Sequence, residues 1–84
     1  MHKVKLTARA KKELKFLPKR YQEAIVSALV ELKENPLIGK PLTKELTGKL
    51  SLRVGVYRII YRINQKDKII SVFSVGHRAV VYKK

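Results

Sequence analysis

Arg53, Arg58, His77, Arg78 and Tyr82 are the side chains of this chain best suited to handling an anion. Arginine supplies a permanently charged fork of donors, while histidine and tyrosine can move protons. All five lie in or just after apolar, strand-like segments of the stretch LSLRVGVYRIIYRINQKDKIISVFSVGHRAVVY, Leu50–Tyr82. Leu50, Leu52 and Val54 alternate with Ser51 and Arg53, the period of a half-buried strand. Tyr57, Ile59, Tyr61 and Ile63 alternate with Arg58, Ile60 and Arg62. A two-residue Gly55-Val56 loop predicts a type II′ turn, which wants glycine at its first central position. That register pairs Val54 with Tyr57 and Leu52 with Ile59, and it sets Arg53 directly opposite Arg58. Like charges facing each other across a ladder cost up to about 1 kcal/mol. The pair makes sense if an anion sits between them.

The polar turn Asn64–Lys68 leads into a third strand, Ile69–Val75. Pairing Ile63 with Ile69 places Phe73 against Ile59 and Val75 against Tyr57, completing an apolar face. Ser74 then lies beside Arg58. Gly76-His77-Arg78 ends the strand at the same edge, so Arg53, Arg58, His77, Arg78 and Tyr82 are expected to converge on one patch. A one-residue slip in pairing would send every side chain to the other face.

An 84-residue chain has room for one domain, 1–84, with a modest core. Its 20 basic and 6 acidic residues give a net charge of +14, which points to polyanionic partners. Five of the six acids precede residue 46, and Lys49–Lys84 holds nine basic residues against the single acid Asp67. A site there would have no carboxylate base. No apolar run is long enough to span a bilayer, and no signal-peptide pattern opens the chain. Zero cysteines exclude disulfides and thiolate metal sites, and the two histidines lack ligand spacing. The expectation is a cytoplasmic protein with no metal, no cofactor and no membrane contact.

Upstream elements must position this patch. His2–Leu6 alternates lysines with Val4 and Leu6, a short strand at a sheet edge, with His2 exposed. Thr7 is a natural N-cap for a helix to about Leu17, with Ala10, Leu14, Leu17 and Phe16 toward the core. Pro18 suits the first turn of a second helix, with Tyr21, Ala24, Ile25, Ala28, Leu29 and Leu32 on its apolar stripe; Asn35-Pro36 stops it. Glu13, Glu23, Glu31 and Glu34 read as surface charges. Residues 36–49 are an irregular connection pinned by Leu37, Leu42 and Leu46. Its Lys40, Lys44 and Lys49 can border a binding groove, and Arg62, Lys83 and Lys84 add cations for RNA. The fold class is α+β: a βααβββ order with an antiparallel-rich four-stranded sheet covered by an N-terminal helical hairpin.

Over nearly its whole length the chain resembles toxins of the RelE/ParE superfamily of type II toxin–antitoxin modules. The resemblance is carried by LTARAKKELKFLP, by KPLTKELTGKLSLRVGVYRIIYRI and by the ending SVGHRAVVY. The stretches LRVGVYRIIY and VGHRAVVY are its most specific part. It implies a RelE-like, microbial-ribonuclease-like fold, and in the RelE-like branch cleavage of mRNA on the ribosome, silenced by a cognate acidic RelB-like antitoxin. Arg53 matches a basic position on the strand before the turn, and Arg58 the arginine of a Tyr-Arg pair. Arg78 matches the arginine after a Gly-basic dipeptide, with His77 in place of lysine, and Tyr82 matches a C-terminal tyrosine. Ser51 departs from members that carry a second basic residue there.

The residues also fit metal-free RNA cleavage independently of the family. The 2′-OH must lose a proton to attack phosphorus, the 5′-oxygen must gain one, and the added negative charge needs cations. His77 and Tyr82 are both candidates for the proton steps. Two alternatives stay open: a ParE-like toxin that poisons DNA gyrase, and a non-catalytic basic RNA-binding module.

Overall fold

The computed structural model describes residues 1–77. Arg78, Tyr82, Lys83 and Lys84, named above as site residues, lie outside the described residues. Strand β1 (Lys3–Leu6) leads into helices α1 (Ala8–Lys15) and α2 (Lys19–Glu34). A two-residue strand β2 (Lys40–Pro41) follows, flanked by 3₁₀ turns at Pro36–Ile38 and Lys44–Leu46. Strands β3 (Leu50–Val54), β4 (Tyr57–Asn64) and β5 (Ile69–His77) complete the sheet. Among the described residues the sheet has five strands in the order β1-β5-β4-β3-β2, with β1 parallel to β5 and the other pairs antiparallel. The expected four-stranded sheet gains β2, a pair of residues too short to show in the sequence. Its Pro41 sits on an edge strand, where a missing N–H is tolerated. No helix of the described residues is long and apolar enough to cross a membrane.

Thr7 caps α1 as its position predicts, its Oγ1 accepting the Ala10 amide at 3.1 Å. The same hydroxyl donates to the Phe73 carbonyl at 3.2 Å, so the cap also ties α1 to β5. The core joins Ala10 on α1 and Ile25, Leu29 and Leu32 on α2 to Ile59, Tyr61, Ile70, Val72 and Val75 on the sheet. Burying each such aliphatic side chain is worth roughly 1.5–3 kcal/mol, so this one-sided layer is what clamps the helices to the sheet. Phe16 and Leu37, expected to help, are instead 75% and 66% exposed. Phe16 falls on the C-cap of α1, where the helix has already turned away, and Leu37 sits on a single 3₁₀ turn. His2, expected to be exposed, is half-buried, with its amide donating to the Lys33 carbonyl at 3.1 Å.

The β3–β4 hairpin has the predicted register: Val54 opposes Tyr57, Arg53 opposes Arg58 and Leu52 opposes Ile59. Gly55 takes φ +62°, while Val56 stays out of the left-handed region, as a type II′ turn requires. The β4–β5 register corrects the expectation. Ile63 opposes Ile70 rather than Ile69, Ile59 opposes Val75 rather than Phe73, and Tyr57 opposes His77 rather than Val75. The offset changes between Ile60 and Tyr61, where a β-bulge leaves Phe73 without an opposite residue. Ile70, Val72 and Val75 are all fully buried. Their spacing of two and then three residues cannot keep one face of a regular strand, and the bulge absorbs the extra residue.

Candidate nucleic-acid interface

The sheet face away from the helices carries Arg53, Arg58 and Arg62. Because directly opposed residues share a face, Lys40, Ser51 and Ile60 form one row and Arg53 and Arg58 the next. Arg58 faces Gly76 on its other side, so no side chain from β5 closes that end of the row. Arg53 is exposed and Arg58 half-buried. Together with Ile38, Lys40, Ser51 and Leu52 they line a groove of about 210 Å³. Three cations on one small concavity make an anion site by Coulombic attraction alone, and the two guanidinium forks add bidentate geometry for phosphate.

The placement of Lys40 depends on a buried tyrosine. The Tyr61 hydroxyl donates to the Pro36 carbonyl at 2.7 Å and accepts the Gly39 amide at 3.0 Å. A Cβ on Gly39 would lie 2.5 Å from that oxygen, so only glycine allows the approach. These two bonds fix the turn that delivers Lys40 opposite Ser51. Burial pushes the Tyr61 hydroxyl above its ordinary pKa, against the opposing pull of the Gly39 amide.

His77 is not brought beside the arginines. It opposes Tyr57, and the two rings meet edge-on with centroids 6.1 Å apart. Tyr57 in turn packs edge-on against Tyr21 of α2 at 4.8 Å, and the Arg20 guanidinium carbon lies 5.0 Å from the Tyr21 ring centroid. His77 therefore occupies the helix side of the same sheet end, across the strand plane from Arg53 and Arg58. The expected convergence of His77 with the arginines fails because β5 runs on through His77 instead of ending at Val75, and alternation then puts His77 on the face of Val75 and Tyr57. Ser74 likewise opposes Ile60 rather than lying beside Arg58.

Of the remaining lysines and arginines, Lys49 reaches over the Phe73 ring, its Nζ 4.7 Å from the centroid. Arg62 lines a second, larger groove with Ser71 and Phe73. Lys44 lies on the 3₁₀ turn before β3 at φ 58° and lines neither groove.

Glu13 corrects its reading as a surface charge. Its Oε1 accepts the Ser74 hydroxyl at 3.0 Å and the Val75 amide at 2.9 Å, and its Oε2 pairs with Arg9 Nε at 3.1 Å. β1 pairs with β5 only as far as Leu6 opposite Val72. Beyond that point no strand of the described residues lies beside the outer edge of β5, and the Val75 donor is met by Glu13. No local spacing announces this contact, because its partners are 61 and 62 residues apart.

A family model described as ParE toxin of type II toxin-antitoxin system, parDE, matches residues 4–82. Toxin RelG of Mycobacterium tuberculosis is 40% identical over 83 residues, 96% of this chain and 95% of the relative. Toxin RelE of the same species is 34% identical over 86 residues, 95% of this chain and 84% of the relative. Among solved structures, the toxin-antitoxin complex RelBE2 from Mycobacterium tuberculosis contains a chain that superposes with TM-score 0.85 at 39% identity. That match covers 92% of this chain and 98% of the other. The isolated E. coli RelE toxin superposes with TM-score 0.80 at 26% identity, covering 98% and 92%. Sequence, fold and relatives agree, and the chain belongs to the RelE/ParE family of toxins of type II toxin-antitoxin systems.

Proposed function

We propose that this toxin is an endoribonuclease that cuts mRNA on the ribosome and so stops translation. The observation that supports the reading most is the directly opposed Arg53–Arg58 pair, with Lys40 in the same groove. In the reaction the 2′-oxygen bonds to the adjacent phosphorus as its proton leaves. The phosphorus–O5′ bond then breaks and the 5′-oxygen takes up a proton, leaving a cyclic phosphate. Arg53 and Arg58, joined by Arg78, hold the phosphoryl oxygens and offset the charge that builds on them. Proton transfer falls to His77 and Tyr82. His77 lies across the strand plane from Arg53 and Arg58, so in this reading its proton step runs around the end of β5. Lys40, Lys49 and Arg62 steer and hold the RNA backbone.

The partner in this reading is an acidic RelB-like antitoxin, since solved neighbours include RelBE complexes from M. tuberculosis and E. coli. A surface with net charge +14 favours such a partner. A second reading, gyrase inhibition, is favoured by the ParE description of the matching family model. Primer extension on translated mRNA, run beside a gyrase supercoiling assay, separates the two. Cleavage within codons, absent without ribosomes, is the expected result. Intact mRNA together with blocked supercoiling would establish the gyrase reading instead.

A further inference from the structure

Phe73 is an aromatic ring without a place in the core. It belongs neither to the buried cluster nor to the partly buried residues packed against it. It is also the residue that the β5 bulge leaves without an opposite residue. Bulges of this kind re-aim a side chain, and they are over-represented beside functional sites. Here the ring lines a groove of about 540 Å³ together with Arg62, Ser71, Asn64 and Gln65. That volume lies within the range of small-ligand sites. Ser71 opposes Arg62, which puts both on the face that carries Arg53 and Arg58. Lys49 stands over the ring. Arg62 is exposed and has neither a hydrogen bond nor an ion pair among the described residues.

We propose that this groove is a nucleobase subsite, in which Phe73 stacks one base of a single-stranded RNA and Arg62 and Lys49 hold its phosphates. The proposal rests on the ribonuclease reading for its choice of RNA. An aromatic platform flanked by cations on a sheet face is how single strands are held without a sequence code. Lys49 and the base draw on the same ring face. The ammonium rides on a flexible four-carbon stem, so it yields the ring to the base and moves onto the adjoining phosphate. Arg58 and Arg62 are four residues apart on β4, roughly 13 Å at about 3.3 Å per residue. The stacked base therefore lies further along the strand than the nucleotides flanking the arginine-bound phosphate. Ser71 and the Gln65 amide line the same groove and offer hydrogen bonds to base edges.

The test begins with isotope-labelled wild-type protein titrated separately with adenosine 5′-monophosphate and ribose 5-phosphate. The Phe73 ring resonances should shift with the nucleotide and not with the sugar phosphate. Phe73→Leu should weaken binding of a six-nucleotide single-stranded RNA about 5- to 150-fold, the range for one lost base stack, while Phe73→Tyr keeps wild-type affinity. Thermal melts of both variants exclude misfolding. Arg62→Ala should weaken binding of the nucleotide and the sugar phosphate alike. Equal Phe73 shifts with both small molecules, or unchanged RNA binding by Phe73→Leu, would reduce the groove to a phosphate site and overturn the proposal. An acidic peptide that shifts Phe73 where the nucleotide does not would overturn it in favour of a protein-docking groove. No ribosome enters these measurements. A protein that cuts mRNA yet shows no nucleotide stacking loses the subsite alone, and one that stacks the nucleotide yet cuts nothing loses the ribonuclease reading alone.

Discussion

The Glu13 carboxylate accepts the Val75 amide at 2.9 Å, joining α1 to β5 where β1 no longer runs beside it. Glu13→Ala leaves that donor and the Ser74 hydroxyl without their acceptor, a cost of about 1–3 kcal/mol. Glu13→Gln keeps an oxygen in place and should cost less. Amide hydrogen exchange at Val75 is expected to speed up markedly in the alanine variant and only slightly in the glutamine variant. Equal protection in all three proteins would mean the contact does not hold the strand.

Arg53 and Arg58 face each other at the cost of repulsion. Arg53→Ala should leave the melting temperature unchanged or raised. Arg58→Ala and Arg78→Ala should each lower mRNA cleavage on ribosomes about 10²-fold or more, the scale for losing one transition-state donor. Arg53→Ala should cost less, because the exposed Arg53 acts through more water than the half-buried Arg58. Variants that cut like wild type would remove the arginines from the site.

Tyr61 binds its proton more tightly in the folded state, its hydroxyl raised by burial from the ordinary 10.0. Its contribution is complete below about pH 10 and is lost as pH rises from there through the raised folded-state value. Tyr61→Phe should destabilise by about 1–3 kcal/mol at neutral pH, since the Pro36 carbonyl and Gly39 amide lose their partner. The gap between wild type and variant should shrink in alkaline denaturation curves above pH 10. A gap that stays constant with pH would show that the hydroxyl is not the group responsible.

RNA affinity should fall steeply with salt, because each neutralised phosphate releases counterions. Lys40→Ala, Lys49→Ala and Arg62→Ala should each flatten the slope of log affinity against log salt by about one. A slope near zero for the wild-type protein would remove the electrostatic basis of the interface.

The hairpin from Leu50 to Ile63 was legible because two independent signals agree there. Gly55 sets the turn, and alternation sets the faces, so Arg53 lands opposite Arg58 without ambiguity. The stretch Ile69–Val75 had no such agreement. Ile69, Phe73 and Val75 make one apolar phase, while Ile70 and Val72 make the other, and alternation alone cannot choose. The structure uses the second phase up to Val72 and then changes offset. Glu13 was hidden for another reason, since its contact with β5 exists only once the chain has folded back. Thr7 marked the start of α1 correctly because its cap acts within three residues, whereas Pro18, expected in the first turn of α2, stands one residue before it at the N-cap and makes no side-chain cap bond.

Strand β5 spends one residue more than its pairing uses. On either side of Phe73 the offsets differ by one, so removing that residue would restore unbroken alternation, with Ile70, Val72, Val75 and His77 keeping their present partners. In that sense Phe73 behaves as a one-residue insertion in an otherwise regular ladder. A chain shortened at this point keeps the opposed arginines and the buried layer but no longer has an aromatic ring in the larger groove. The length of β5 is therefore a character that can vary separately from the arginine pair without rebuilding the core.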